Sequence, residues 1–96
     1  MLTGKQKRYL RAEAHHLNPI FQVGKDGVNE NMIKQINEAL EKRELIKINI
    51  LQNNLEDKEE VAQQLLAGTG AELVQIIGGI IILYKESEAN KEIDLP

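Results

Sequence analysis

Apolar positions recur at helical spacing near the start of the chain and alternate in its middle. Leu10, Ala14 and Leu17 share one face of a helix predicted over residues 3–17. Thr3 with Gln6 three residues on gives that helix a capping-box start. Asn18-Pro19 stops it, because the residue before proline is pushed out of the α region. Ile20 to Val23 reads as a short strand, and Gly24-Lys25-Asp26-Gly27 as a turn. Asn29 is a good N-cap for a second helix over about 30–43, with Ile33, Ile36 and Leu40 inward. Ile46, Ile48 and Ile50 then alternate with Lys47 and Asn49, which predicts a half-buried strand over 45–51.

A third helix fits about 56–67. Its acids Glu56, Asp57, Glu59 and Glu60 fall in the first turns, where the helix dipole favours them. Val61, Leu65 and Leu66 face inward, and Gly68 or Gly70 ends it. Two strands follow, about 72–77 and 80–85, joined at Gly78-Gly79 by a two-residue hairpin turn that needs positive φ. The register opposes Ile77 to Ile80, Ile76 to Ile81 and Val74 to Leu83. Val74, Ile76, Ile81 and Leu83 then form one apolar face, expected in the core. Leu73, Gln75, Ile77, Ile80, Ile82 and Tyr84 form a mixed one, either covered by a helix or open to a partner.

The order is α-β-α-β-α-β-β, a single α/β domain with a four-stranded mixed sheet packed with helices. Strand–helix–strand steps join parallel strands, and the last hairpin is antiparallel. Residues 1–86 form the domain. Residues 87–96, acidic and without period, are expected to be a loose tail.

Ninety-six residues suffice for one core, burying about 65% of the unfolded chain's surface. The absence of Cys excludes disulfides, thiolate chemistry and zinc sites built on Cys. His15 and His16 are adjacent and so point about 100° apart on a helix, which prevents metal chelation by an i, i+4 pair. No constellation for catalysis is evident, so neither an enzyme nor a cofactor or metal is expected. No apolar run approaches the ~20 residues of a membrane span, and no signal-peptide pattern opens the chain, so the expectation is a cytoplasmic protein.

The net charge of −3 hides an asymmetry. Residues 1–27 carry five Lys/Arg against two acids, a net +3; residues 28–96 carry seven against thirteen, a net −6. A basic end on an acidic body keeps nucleic acid open as a partner, since binding follows the local field. Lys7, Arg8 and Arg11, with Lys5 near, lie on one side of the first helix. Gly24, Lys25, Asp26 and Gly27 join a strand end to a helix start, where free N–H groups attract phosphate and glycines permit close approach. Asp26 opposes that attraction. A solvated helix face and a plain tight turn are the bland readings of these two features.

Leu2 to Arg11, Ala14-His15-His16-Leu17, Pro19 and Gln22 to Val28 together closely resemble the CRM (chloroplast RNA splicing and ribosome maturation) domain. The form is similar to the stand-alone bacterial YhbY family, and Glu44 to Ile48, Gln75 to Gly78 and Leu83-Tyr84-Lys85 extend the match. The resemblance implies an RNA-binding protein that binds ribosomal RNA in precursors of the large ribosomal subunit and assists assembly; a monomer is the separate expectation. It also implies a fold like the C-terminal domain of translation initiation factor three. Gly24 to Gly27 would correspond to a KH-like Gly-x-x-Gly loop, and Lys5, Lys7, Arg8 and Arg11 to the basic surface. Asn is frequent among relatives where Asp26 stands, which implies weaker phosphate affinity here. A ribosome-associated protein–protein adaptor with little RNA contact is the alternative, and it would use the acidic body or the Ile77/Ile80/Ile82 face.

Overall fold

A computed structural model describes residues 1–96 as α1 (Gly4–Ala14), β1 (Phe21–Val23), α2 (Glu30–Arg43), β2 (Leu45–Ile50), α3 (Lys58–Thr69), β3 (Glu72–Ile77) and β4 (Ile80–Tyr84). The four strands form one mixed sheet in the order β1-β2-β4-β3. β1 and β2 are parallel, joined through α2. β2 and β3 both run antiparallel to β4, which lies between them.

Local chemistry sets most of the element ends. Thr3 and Gln6 form the reciprocal capping box of α1, at 3.1 and 3.0 Å. Asn29 Oδ1 accepts the Met32 N–H at 2.9 Å and starts α2. Gly70, at φ +72°, ends α3.

Two helix bounds differ from expectation. α1 ends at Ala14, not 17, and Leu17 is exposed. The chain turns at His15-His16 to reach the sheet edge, where the Ile20 N–H donates to Lys47 O. α3 begins at Lys58, two residues late. Asn54 Oδ1 accepts the Glu56 N–H at 3.0 Å in a turn that precedes the helix, and Asp57 takes the N-cap position.

Helices cover both faces of the sheet. α2 and α3 bury Ile36, Leu40, Val61, Ala62 and Leu65 against Val23, Ile46, Ile48, Ile50, Ile81 and Leu83. α1 buries Leu10 and Ala14 on the other face, against Leu45, Val74, Ile82 and Tyr84. The hairpin turns on Gly78 at φ +56°, while Gly79 has no positive φ. Ile77 pairs with Ile80 and Ile76 with Ile81, as expected, but Leu83 pairs with Leu73 rather than Val74. A β-bulge between Leu73 and Gln75 inserts Val74 as the extra residue. The bulge turns Val74 to the α1 core and leaves Leu73 beside Ile76 under α3. Ile76 is only half-buried, because β3 is an edge strand. Of the mixed face, Ile82 and Tyr84 are buried beneath α1, Ile80 is half-buried, and Ile77 is 56% exposed.

The tail expected to be loose lacks regular secondary structure but is pinned. Ser87 is buried, and Ile93 and Leu95 pack against the α1 core. The Gln6 amide donates to Pro96 O at 3.2 Å.

Candidate nucleic-acid interface

The glycine turn is held at one end of the sheet. Buried Val23 ends β1, and its carbonyl accepts the Leu51 N–H at 2.9 Å, tying the turn to the exit of β2. The Gly27 N–H donates to Gly24 O at 3.1 Å, leaving Lys25 and Asp26 exposed at the tip. Asn54 Nδ2 donates to the same Gly24 carbonyl at 3.0 Å. Gly27 has φ +69°, a conformation costly for any residue with a Cβ. Gly24 needs glycine less strictly, since a Cβ there would sit 3.3 Å from Asn53 Oδ1 without a positive φ. The start of α2 behind the turn is occupied by its own groups. Asn29 caps it, and Glu30 sits in the first turn, so the helix end offers an incoming phosphate little.

One acid stands where the sequence placed none. The sequence places Glu56 with the other acids in the first turns of the third helix. Instead its Oε1 is 3.1 Å from the position of a Cβ on Gly27. Gln64 Nε2 holds the other carboxylate oxygen at 2.6 Å. The tip therefore sets Lys25 against two carboxylates, Asp26 and Glu56, and is not a strong cationic centre.

The cations of α1 are distributed along the sheet. The Met1 ammonium pairs with Glu72 at 3.2 Å, so the helix starts near the end of the sheet opposite the glycine turn. Lys5 and Arg8 are exposed, while Lys7 and Arg11 are half-buried. Arg11 reaches mid-sheet, where it lines a groove with His15, Lys47, Gln75, Ile77 and Ile80. Lys5, at the start of the helix, is remote from the turn. The only ion pairs within 4 Å are Met1–Glu72 and Lys91–Glu86, so Lys5, Lys7, Arg8, Arg11, Lys25 and Lys47 have no carboxylate within that distance.

Strand register connects groove and turn. Gln22 pairs with Asn49, Asn49 with Ile80, and Ile80 with Ile77, so these four form a row across the sheet on the α1 face. Lys47, Ile82 and Gln75 form the next row. α1 buries Ile82 but leaves the first row open, with Gln22 and Ile77 exposed and Asn49 and Ile80 half-buried. Beyond it, Asn49 and Gly79 line a cleft with Leu51, Asn54, Glu56 and Lys58, which abuts the glycine turn through the Asn54 bond. The surface from Arg11 to Gly24 is continuous. The strand alternation already turned Lys47 and Asn49 away from Ile46 and Ile48; their place in the site is decided by how little of the sheet α1 covers.

His15 and His16 are both exposed, with ring centroids 5.5 Å apart and near-perpendicular planes. No cluster of three His, Cys, Asp or Glu side chains is placed to hold a metal. No helix is long and apolar enough to cross a membrane.

A family model described as the CRS1 / YhbY (CRM) domain matches residues 2–85. The Probable RNA-binding protein YqeI of Bacillus subtilis is 68% identical over 96 residues, covering 100% of both chains. An RNA-binding protein of Haemophilus influenzae is 40% identical over 95 residues, 99% of this chain and 95% of that one. The solution structure of a hypothetical protein from Staphylococcus aureus matches with a TM-score of 0.83 at 64% identity, covering 100% of both chains.

Proposed function

The chain belongs to the CRS1 / YhbY (CRM) domain family, and on that footing we propose that it binds RNA along the surface running from α1 to the glycine turn. One observation carries this reading: Arg11 and Lys47, free of any carboxylate within ion-pair distance, flank an open sheet face that continues to a turn with a positive-φ glycine. Cations without internal partners are free to take phosphates, and each phosphate neutralised releases counterions, which drives association. The turn contributes close backbone approach more than charge, because Asp26 and Glu56 offset Lys25. Arg8 and Lys7 extend the phosphate path along α1.

The finer reading is ribosomal RNA in precursors of the large ribosomal subunit, with a role in assembly. It rests on the ordered set of family motifs from Leu2 to Lys85. On this reading the protein acts in the cytoplasm as a monomer and performs no catalysis. The adaptor reading has less support on one of its two surfaces, since the isoleucine face is reduced to Ile77 and part of Ile80, a small patch by the standard of docking surfaces, which leaves it the acidic body.

Crosslinking in cells followed by sequencing of the attached RNA tests both levels. Enrichment of large-subunit ribosomal RNA is the expected result. Recovery of unrelated messages would overturn the assembly role, and recovery of no RNA would overturn RNA binding.

A further inference from the structure

We infer that the open half of the sheet is a seat for unpaired RNA bases, and that Asn49 and Gln75, with Gln22, select among those bases. The inference rests on the RNA-binding reading above and adds a division of labour to it.

Three amide side chains, Gln22, Asn49 and Gln75, lie on the α1 face of three different strands. None of the three side chains makes an intramolecular hydrogen bond, so each is free to pair with a ligand. No buried polar side-chain atom in the molecule lacks a partner, so the free amides face solvent. An amide offers a donor and an acceptor side by side, which matches the edge of a base and discriminates between bases. A phosphate needs only donors, so amides are an unselective and weak choice for it beside Arg11 and Lys47.

The floor between the amides is aliphatic. Ile80 and Ile77 continue the Gln22–Asn49 row to the far edge. Four strands at spacings of about 4.8 Å make that row about 14 Å wide. A four-stranded sheet of this kind holds about two or three bases in other RNA-binding folds. Those folds stack the bases on aromatic rings. Here the floor has none, so its contribution to affinity is small and hydrogen bonding carries the selection.

Cations stand at the margin of this floor and not on it. Arg11 and His15 overhang from α1, and Lys47 rises at the inner row. Bases directed at the floor would leave their phosphates against those side chains and, farther along, against the glycine turn. The occupant is therefore single-stranded or looped RNA. A duplex keeps its base edges paired and would present only its backbone to a flat polar floor.

Binding of short labelled homopolymers of the four bases, measured by fluorescence anisotropy across a salt series, tests the assignment. Wild-type affinities should spread by about tenfold or more across the four, the range expected of base-edge hydrogen bonds. Asn49→Ala combined with Gln75→Ala should compress the spread to about twofold while leaving the salt slope unchanged, because no phosphate contact is lost. Arg11→Ala should do the reverse, keeping the spread and reducing the slope. The single variants Asn49→Ser and Gln75→Ala give the same readout if the double variant melts early. Equal wild-type binding of all four homopolymers would overturn base selection. So would a spread that survives the variants, or a slope that falls with them; RNA binding would stand in each case. Absence of binding to every homopolymer and to ribosomal RNA would overturn the RNA-binding reading, and this inference with it.

Discussion

The carboxylate of Glu44 accepts the backbone N–H of Ser87 at 2.8 Å, across 43 residues of sequence. Its other oxygen accepts the N–H groups of Glu92 and Ile93 at 2.7 and 2.9 Å. Glu44 is fully buried and sits at φ +64°, the one non-glycine residue with positive φ. One helical turn earlier, Glu41 accepts the Ser87 hydroxyl and the N–H groups of Glu88 and Ala89. Two carboxylates at the end of α2 thus clasp the C-terminal segment, which brings Ile93 and Leu95 against the core beneath α1. The clasp fixes the helix that carries the basic surface.

Removing the Glu44 carboxylate should destabilise the domain. Glu44→Ala strands the buried N–H of Ser87 and the partly buried N–H groups of Glu92 and Ile93, and an unpaired buried group costs about 1–3 kcal/mol, so a loss on the order of 2–4 kcal/mol is expected in denaturant unfolding. Glu44→Gly should cost about 1 kcal/mol less, because glycine relieves the positive φ. An equal cost for both would mean that the backbone there is unstrained.

Acid should open the same clasp. Burial pushes the Glu44 pKa up, but the N–H groups of Ser87, Glu92 and Ile93, with Lys91 nearby, outweigh it and hold the value below the ordinary 4.5. The backbone N–H groups of Glu88 and Ala89 and the Ser87 hydroxyl lower that of Glu41. A carboxylate with a depressed folded pKa contributes stability above its unfolded pKa, and that stability is lost as pH falls through the folded value. The melting temperature should hold above about pH 5 and drop below pH 4.5, with a smaller drop in Glu44→Gln. Parallel pH profiles for the variant and wild type would exclude Glu44 as a source of the acid sensitivity.

Gly27→Val should abolish most RNA binding in a filter-binding assay, while Gly24→Ala should weaken it only a few-fold. Gly27 combines φ +69° with a Cβ position 3.1 Å from Glu56 Oε1, and Gly24 has neither that φ nor so close a neighbour. Circular dichroism separates loss of the site from loss of the fold. Normal binding by both variants would reduce the turn to a connection.

Salt should weaken binding steeply. With three or four phosphates engaged, log affinity should fall against log salt with a slope of about −2 to −3, and Arg8→Ala should make it shallower by about 0.7. Asp26→Asn and Glu56→Gln should each strengthen binding modestly, since both carboxylates stand at the turn. A flat salt response would exclude a phosphate-binding surface.

Much of this molecule was legible because its signals are local. The bounds of α2, the Thr3 and Asn29 caps and the hairpin pairs Ile77–Ile80 and Ile76–Ile81 depend on residues within a few positions of each other. The basic first quarter and the glycine turn were legible for the same reason, and so were the family motifs. Contacts between distant segments decided the rest. Val74 faces α1 because a bulge lets apolar residues from one edge strand fill two cores, and alternation alone cannot reveal a second core. Leu17 is exposed because the chain must leave α1 early to reach the sheet edge. Glu56 reaches Gly27, and Glu44 captures Ser87, across separations that no periodicity spans. The open row from Gln22 to Ile77 has one cause: α1 is only eleven residues long and covers part of the sheet face on which it lies.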